Sequence, residues 1–410
     1  MPIRFFPLLL LAALPAAPGT AQIGLPALDR GIGGVLETAE RTLDPVQRTT
    51  EDLARTASRL ADVRLFRLRA LVRRNHAVLD RDAAGNPARR GELLLVGASE
   101  AEVARAQAAG FAVIGRERLD ALDIAVVRLG TPARQSLAAA EATLETLLPG
   151  AQISADTLYF QSGSAATRGR PRSEPAPTPI YQTVGVIDGA PGPAIAVVAK
   201  RGFSQGAPTP SHHGSAIVSL LRSAGVRRIA VADVYGTDAA GGNALAVARG
   251  LDWLVGAQGS RVISISLVGP DTPLVARAIA AVQRQGVHIV AAVGNDGPAA
   301  PPAYPASYPG VIAVTAVDGR GRALIEAGRA AHLDYAAPGA DMLAASADGV
   351  WRKVRGTSYA VPFVAARAAA ALGRGAVIPA LDREALDLGR AGPDPVFGRG
   401  LLCPRCARKK

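Results

Sequence analysis

Three side chains in this sequence have the types that nucleophilic catalysis requires. Asp188 ends the apolar run Val184-Gly185-Val186-Ile187, His213 lies in a Ser-His-His-Gly step, and Ser358 precedes a long alanine-rich run. A serine hydroxyl is a poor nucleophile at neutral pH until a base takes its proton, and the base works best when a third group orients it. The set predicts attack on a carbonyl by Ser358, with His213 as base and Asp188 as the group that orients His213.

A fourth candidate, Asn295, follows the apolar run at 287–293, in Gly294-Asn295-Asp296-Gly297. Its side-chain amide, held by glycine-flanked backbone, can donate to the oxyanion of a tetrahedral intermediate together with the N–H of Ser358. An Asn-Asp-Gly triplet alone is usually a turn. Its place after a predicted buried strand favours the oxyanion role.

The elements that must position these side chains can be read from the apolar periodicity. The run at 358–372 predicts a helix whose N-terminus presents unpaired N–H groups and the positive end of its dipole to an anion at Ser358. The alternative is that Thr357 or Ser358 only caps this helix, which is the commoner role of a serine or threonine there. Strands are predicted at 184–187, 195–198, 229–234, 262–267, 287–293 and 311–317, and further helices at 213–223, 243–255 and 273–285. Continuous apolar strands separated by helices predict a doubly wound, mostly parallel α/β sheet, whose chemistry lies at the carboxyl ends of its strands.

The region before this sheet predicts a smaller unit. Residues 91–161 alternate as β-α-β-β-α-β, the ferredoxin-like order of an α+β domain. Residues 22–90 form an Arg-rich segment with helical spacing strongest at 51–74, and the Ser-, Gly- and Pro-rich stretch 162–180 predicts an exposed, flexible linker. The large unit then covers 181–402, and a basic tail covers 403–410.

Composition narrows the functional class. With 410 residues and 49% hydrophobic content the chain can bury a large core, which excludes disorder of the whole chain. The net charge of +12 permits non-specific attraction to nucleic acid, but no nucleic-acid motif accompanies it, so no specific nucleic-acid partner is expected.

The two ends of the chain carry targeting and cysteine signals. Residues 1–21 have a short basic start, an apolar stretch and small residues before Gln22, which predicts a signal peptide and export to the periplasm or the outside of the cell. No later stretch is long and apolar enough to predict a membrane span. Cys403 and Cys406 predict a small local disulfide without a catalytic role.

These motifs, taken in order, resemble the subtilisin-like serine protease family (subtilases, peptidase S8). The matching segments are VGVIDG, HGSAIVSLL, ISISLVGP, AAVGNDG, AYPASYPGVIAVTAV, LDYAAPG, RGTSYAVPFVAA and FGRGLL. The resemblance implies that Asp188, His213, Asn295 and Ser358 act as orienting acid, base, oxyanion donor and nucleophile of a serine endopeptidase that forms an acyl-enzyme. It also implies that Ser266, Leu267 and Val268 pair with an extended peptide substrate, and that Ala292 and Gly294 line the pocket for the residue before the cut.

The resemblance further implies that the N-terminal unit is a propeptide, acting as intramolecular chaperone and inhibitor, and that the chain is a monomer that cleaves itself within Gln161–Thr178. No metal or other cofactor is expected, because the aspartate-rich calcium loop of many relatives is not visible between Ala216 and Val234. Asp188-Gly189-Ala190 replaces the usual Asp-Ser/Thr-Gly, and Val268 stands where glycine is common. These departures leave a second hypothesis open, namely a catalytically silent subtilase fold that binds peptides or proteins. A basic nucleic-acid-binding protein is a third hypothesis, and it depends on charge alone.

Overall fold

The computed structural model describes residues 50–169 and 177–406. The predicted signal peptide (1–21), residues 22–49 of the Arg-rich segment, residues 170–176 of the predicted linker and residues 407–410 of the basic tail lie outside the described residues. No helix within the described ranges has the length and the apolar composition needed to cross a membrane.

The larger unit is built on a seven-stranded parallel sheet. Its strands, in chain order, are β8 (Ile180–Asp188), β9 (Ala199–Gly202), β10 (Val226–Asp233), β11 (Val262–Ile265), β13 (His288–Ala292), β14 (Ile312–Val317) and β15 (Tyr335–Pro338). Their spatial order is β15-β14-β13-β11-β8-β10-β9, and every neighbouring pair is parallel. The continuous apolar runs form these strands because both faces of the sheet are buried.

Helices cover both faces of this sheet. Helices α4 (His212–Ser223) and α7 (Val361–Ala371) belong to the apolar core on one face. Helices α5 (Ala244–Gly256) and α6 (Pro273–Arg284) belong to the core on the other. A short helix, α8 (Val377–Glu384), packs on α7. The predicted doubly wound α/β class is confirmed.

The smaller, N-terminal unit is a five-stranded antiparallel sheet with two helices. Its elements are β1 (Leu79–Arg81), β2 (Pro87–Val96), α2 (Glu100–Ala108), β3 (Ala112–Leu119), β4 (Ile124–Gly130), α3 (Leu137–Leu147) and β5 (Gln152–Thr157). β2 lies between β5 and β4, and β3 is at the edge, which confirms the ferredoxin-like arrangement. Leu94, Val96, Ile124 and Val126 share one apolar core with α5 and α6, so this sheet lies against that face of the larger unit. A long helix, α1 (Thr50–Arg74), precedes it.

Within the described residues, five short strands complete the structure around the ends of the parallel sheet. β6 (Phe160–Gln161) pairs with β12 (Leu267–Val268), and β7 (Ser164–Arg168) pairs with β17 (Trp351–Arg355), which also pairs with β16 (Met342–Ala345). The expectation that the linker is flexible from residue 162 onward is therefore wrong for β7, because a strand edge in the larger unit provides hydrogen-bond partners for it.

Two further expectations are wrong. The strand predicted at 195–198 lies at 199–202 instead, because it is Ala199–Gly202 that pairs with β10. The helix predicted from Ser358 begins at Val361, and Thr357–Tyr359 forms a 3₁₀ turn before it. No side chain caps either element, so the capping role considered for Thr357 or Ser358 is wrong as well.

Candidate active site

Asp188 and His213 meet at the carboxyl end of β8, an interior strand of the parallel sheet. Ser211 caps α4 by accepting a hydrogen bond from the backbone N–H of Gly214, which places His213 in the first turn. The helix start approaches β8 so closely that a side chain at Gly214 would meet the carbonyl oxygen of Gly189 at 1.9 Å. As a result, Nδ1 of His213 lies 2.8 Å from Oδ2 of Asp188, and both residues are buried.

The second carboxylate oxygen of Asp188 also has defined donors. Oδ1 accepts from the backbone N–H of Gly189 at 2.7 Å and from the side-chain amide of Gln161 at 2.8 Å. With both oxygens hydrogen-bonded, the carboxylate is fixed in orientation and suited to stabilise an imidazolium at His213.

Ser358 lies fully buried in the 3₁₀ turn between β17 and α7. Its hydroxyl donates to the carbonyl oxygen of Ser266 at 3.0 Å, while the hydroxyl of Ser266 donates to the carbonyl of Ser358 at 2.9 Å. The Oγ of Ser162 lies 2.6 Å from the Oγ of Ser358. Either hydroxyl can be the donor in this last contact.

Asn295 lies beside Ser358 with its amide group oriented by the backbone. Its Oδ1 accepts from the N–H of Thr357 at 2.9 Å. Its buried Nδ2 has no hydrogen-bond partner among the described residues, and the same holds for the hydroxyl of Thr357. Gly356, at φ 142°, keeps this space open, because a Cβ there would lie 2.7 Å from Nδ2 of Asn295. Two unused donors therefore flank the nucleophile candidate, where an oxyanion would need them.

A strand from the chain's own N-terminal part passes through the cleft. In β6, Gln161 pairs with Leu267 and Phe160 with Val268, in antiparallel register. The carbonyl oxygen of Ser162 then lies 3.4 Å from Nε2 of His213, and β7 continues beyond Ser358. The segment 160–168 thus has the position of an extended peptide bound across the site. Ser162 and Gln161 were not among the sequence candidates, since nothing local marks a serine or glutamine as a cleft ligand.

The remaining sequence candidates are divided between cleft and core. The residues predicted to bind substrate lie as follows: Leu267 and Val268 form β12, Ser266 precedes them, and Gly294 lines a cleft of about 580 Å³ with Val268 beside it. Ala292 does not line this cleft. It is the last residue of β13 and its side chain belongs to the buried core, so its pocket role stays a prediction. His212 contacts other residues: its Nδ1 lies 2.5 Å from the hydroxyl of Ser346 and accepts from the N–H of Ala347 at 3.3 Å.

Helix α1 lies over the same cleft. Arg64 and Arg67 form ion pairs with the two oxygens of Asp296, at 3.2 and 2.7 Å, next to the oxyanion candidate Asn295. Leu60 is buried against Gly297. A Cβ added to Gly297 would lie only 3.0 Å from the Cβ of Leu60. Farther along the helix, Leu71 shares an apolar cluster with Leu158 and Phe160. The bound strand is therefore enclosed between the larger unit and α1.

The contact between the two units contains a buried carboxylate. Asp156 in β5 accepts from the N–H of Leu245 at the start of α5, and Nε of Arg89 lies 3.7 Å away. Burial raises the pKa of Asp156 to about 7. Its charge state therefore changes near neutral pH at the surface where the units meet.

A metal site and a reactive cysteine pair are two other kinds of site to consider. In the described ranges, no three His, Cys, Asp or Glu side chains are grouped so that they could hold a metal ion. Cys403 and Cys406 form a disulfide with Cys403 buried in the core, remote in sequence from the site residues.

Comparison with known proteins gives one consistent result. A family model described as the subtilase family matches residues 207–379. The chain is 29% identical over 201 residues to the minor extracellular protease Epr of Bacillus subtilis (strain 168), covering 47% of this chain and 30% of that protein. It is 33% identical over 165 residues to subtilisin Savinase of Lederbergia lenta, covering 39% of this chain and 61% of that protein. The chain thus spans less than two thirds of these relatives.

A solved structure shares the fold. Fervidolysin from Fervidobacterium pennivorans, described as a keratinolytic enzyme related to subtilisin, superposes with a TM-score of 0.64 at 17% identity. The match covers 78% of this chain and 61% of fervidolysin.

Proposed function

Because this chain is a member of the subtilase family, peptidase S8, we propose that it is a serine endopeptidase made as a self-processing zymogen. The observation that carries the proposal is the arrangement of Asp188, His213 and Ser358 around a peptide segment of the same chain. Peptide and protein chains are the substrates that this extended cleft fits.

In the proposed reaction, Ser358 Oγ attacks the carbonyl carbon of the scissile peptide while His213 Nε2 takes its proton. Asp188 stabilises the resulting imidazolium through Nδ1. The oxyanion is held by Nδ2 of Asn295 and the backbone N–H of Ser358. His213 then protonates the leaving amine as the C–N bond breaks, and water, deprotonated by His213, hydrolyses the acyl-enzyme to release the acid and regenerate Ser358.

The bond we assign to self-cleavage joins Ser162 to Gly163, within the predicted range 161–178. Residues 160–161 pair with β12 on one side of Ser358 and residues 164–168 pair with β17 on the other, so this peptide lies between them. Gly163 and Asn295 both lie against Gly356. A Cβ added to Gly356 would lie 2.7 Å from Cα of Gly163 and 2.7 Å from the unused Nδ2 of Asn295. The Ser162 carbonyl lies toward His213, so it must rotate toward Asn295 before attack. The state described is therefore latent.

The N-terminal unit, including residues 91–161, is the proposed propeptide. Its sheet covers α5 and α6 and its last segment fills the cleft, which suits an inhibitor. Parallel sheets depend on non-local contacts and fold slowly, which gives such a unit a purpose as a folding helper. We also propose export, from the predicted signal peptide, action as a monomer, and no cofactor.

A specific observation favours the silent binding module as the second candidate. A peptide segment of the chain already occupies the cleft, and the Ser358 hydroxyl donates to the carbonyl oxygen of Ser266. A scaffold that only binds peptides would have the same arrangement.

Labelling with a serine-directed fluorophosphonate and intact mass measurement test the proposal. We expect wild type to be cut after Ser162 and, once its prodomain is removed, to label at Ser358. A folded protein that stays uncut, and that remains unlabelled after added protease has removed residues 50–162, would instead support the binding module.

A further inference from the structure

The side chain of Gln161 makes an unusual contact for a residue of a bound peptide. Its Nε2 donates directly to Oδ1 of the orienting acid Asp188 at 2.8 Å, and lies 3.4 Å from Oγ of Ser211. Asp188 is fully buried, so this hydrogen bond to a carboxylate forms away from bulk water. Charge-assisted bonds of this kind are about twice as strong as neutral ones.

The local sequence leaves room for this contact. Gly189 follows Asp188, and a Cβ built on it would lie 3.5 Å from Nε2 of Gln161 and 2.4 Å from Cβ of Ser211. A larger residue at 189 would thus compete with the amide for the space between β8 and α4. The replacement of Ser/Thr by glycine after Asp188, noted in the sequence, opens the path by which a peptide side chain reaches the acid.

We propose that Oδ1 of Asp188 and Oγ of Ser211 form a recognition site for a carboxamide side chain, at the residue that precedes the one whose carbonyl is attacked. The inference rests on the proposed protease function and names its substrate class, peptides with glutamine at that position. In the zymogen the site is filled by Gln161, and in the processed enzyme it selects substrates.

The chemistry of the contact sets the preference. A carboxamide donates an N–H to the carboxylate and, being neutral, carries no charge to be desolvated. A glutamate of the same shape brings a second carboxylate against Asp188 and is repelled. A methionine of similar length fills the space but has no side-chain N–H to donate to Oδ1 of Asp188. The bond uses Oδ1 only, so the Oδ2 contact with His213 is preserved.

Quenched-fluorescence peptides with the sequence of residues 157–166 test the proposal on processed enzyme obtained from the full chain. They carry Gln, Met or Glu at the position of Gln161, and a control peptide carries Thr157→Ser. We expect kcat/KM to fall roughly ten-fold for Met, as for loss of one charge-assisted hydrogen bond, and further for Glu. The control is changed outside the segment that lies in the cleft, so it should match the Gln peptide.

The two possible failures are distinguishable. Equal cleavage of the Gln, Met and Glu peptides would overturn the recognition site and leave the protease function standing. No cleavage of any peptide, with no fluorophosphonate labelling, would overturn both. In the full chain, Gln161→Glu should slow the appearance of the fragment ending at Ser162 relative to Gln161→Met, and equal rates would also contradict the proposal.

Discussion

The hydroxyl oxygens of Ser162 and Ser358 lie 2.6 Å apart although 196 positions separate them in the chain. One belongs to the segment that leaves the N-terminal unit, the other to the turn before α7. The Ser162 hydroxyl is thus hydrogen-bonded to the nucleophile candidate and occupies the space that a substrate would need. Access to Ser358 therefore requires that this segment be cut, displaced or both.

Ser358→Ala should abolish both self-cleavage and fluorophosphonate labelling, because it removes the hydroxyl that we assign as the nucleophile. Ser162→Ala is the matched control. It removes the hydroxyl that contacts Ser358 but leaves the scissile peptide, and we expect it to be cut at least as fast as wild type. Intact mass against time measures both. Processing of purified Ser358→Ala in the absence of other proteases would contradict the assignment.

Asn295→Asp should lower kcat with little change in KM. The aspartate keeps an oxygen that accepts from the N–H of Thr357, but it replaces the donor Nδ2 by an oxygen that repels an oxyanion. Removing one such donor costs about 10²–10³-fold in kcat, a magnitude measured on subtilisin itself rather than on this chain. Steady-state kinetics on processed protein provide the check, and an unchanged kcat would refute the oxyanion role.

Charge reversal on α1, Arg64→Glu with Arg67→Glu, should shorten the interval between self-cleavage and full activity. The variant places two carboxylates against Asp296, so α1 no longer holds the cut strand in the cleft. Global unfolding should change little, because part-exposed ion pairs contribute only about 0.2–1 kcal/mol each. Arg69→Glu with Arg73→Glu, on exposed positions of the same helix, makes the same change in charge and should behave as wild type. Identical activation curves for the two variants would exclude a role for the Asp296 contacts.

The contact between the units should weaken as pH rises toward 7. The native pKa of Asp156 is raised by burial to about 7 from an ordinary value of 3.8, so between these values the folded state binds more protons than the unfolded state. Stability from this group is therefore present at low pH and lost as pH rises through about 7. The largest change in the free energy of unfolding that this shift of the Asp156 pKa can cause is on the order of 4 kcal/mol, at 1.36 kcal/mol per pKa unit.

Asp156→Asn, made in the uncut Ser358→Ala background, isolates this effect. The amide keeps an oxygen that can accept from Leu245 but does not titrate. Urea unfolding at pH 5 and pH 8 should show a larger fall in stability for the Ser358→Ala protein than for the double variant. Parallel falls would mean that Asp156 does not govern the pH dependence.

The class of fold and the chemistry at the strand ends could be predicted from the sequence. Buried strands and amphipathic helices have local apolar patterns, and Asp188, His213, Asn295 and Ser358 each stand directly beside such an element. The local apolar pattern predicted the bounds of individual strands and helices less well. The strand at 199–202 and the 3₁₀ turn at Ser358 depend on which residues find hydrogen-bond partners in neighbouring strands, and no window of sequence contains that information.

The occupants of the cleft were decided only by the tertiary structure. Ser162 begins the predicted linker, Gln161 directly precedes it, and Arg64 and Arg67 lie in a stretch whose composition indicates a solvated helix. Their partners are distant in sequence, as with Arg67 and Asp296, which are 229 positions apart. Such contacts form because docking of the N-terminal unit on α5 and α6 fixes where the following segment and the preceding helix must run. The sequence thus determined which residues can perform the chemistry, while long-range packing determined that the chain itself fills the site.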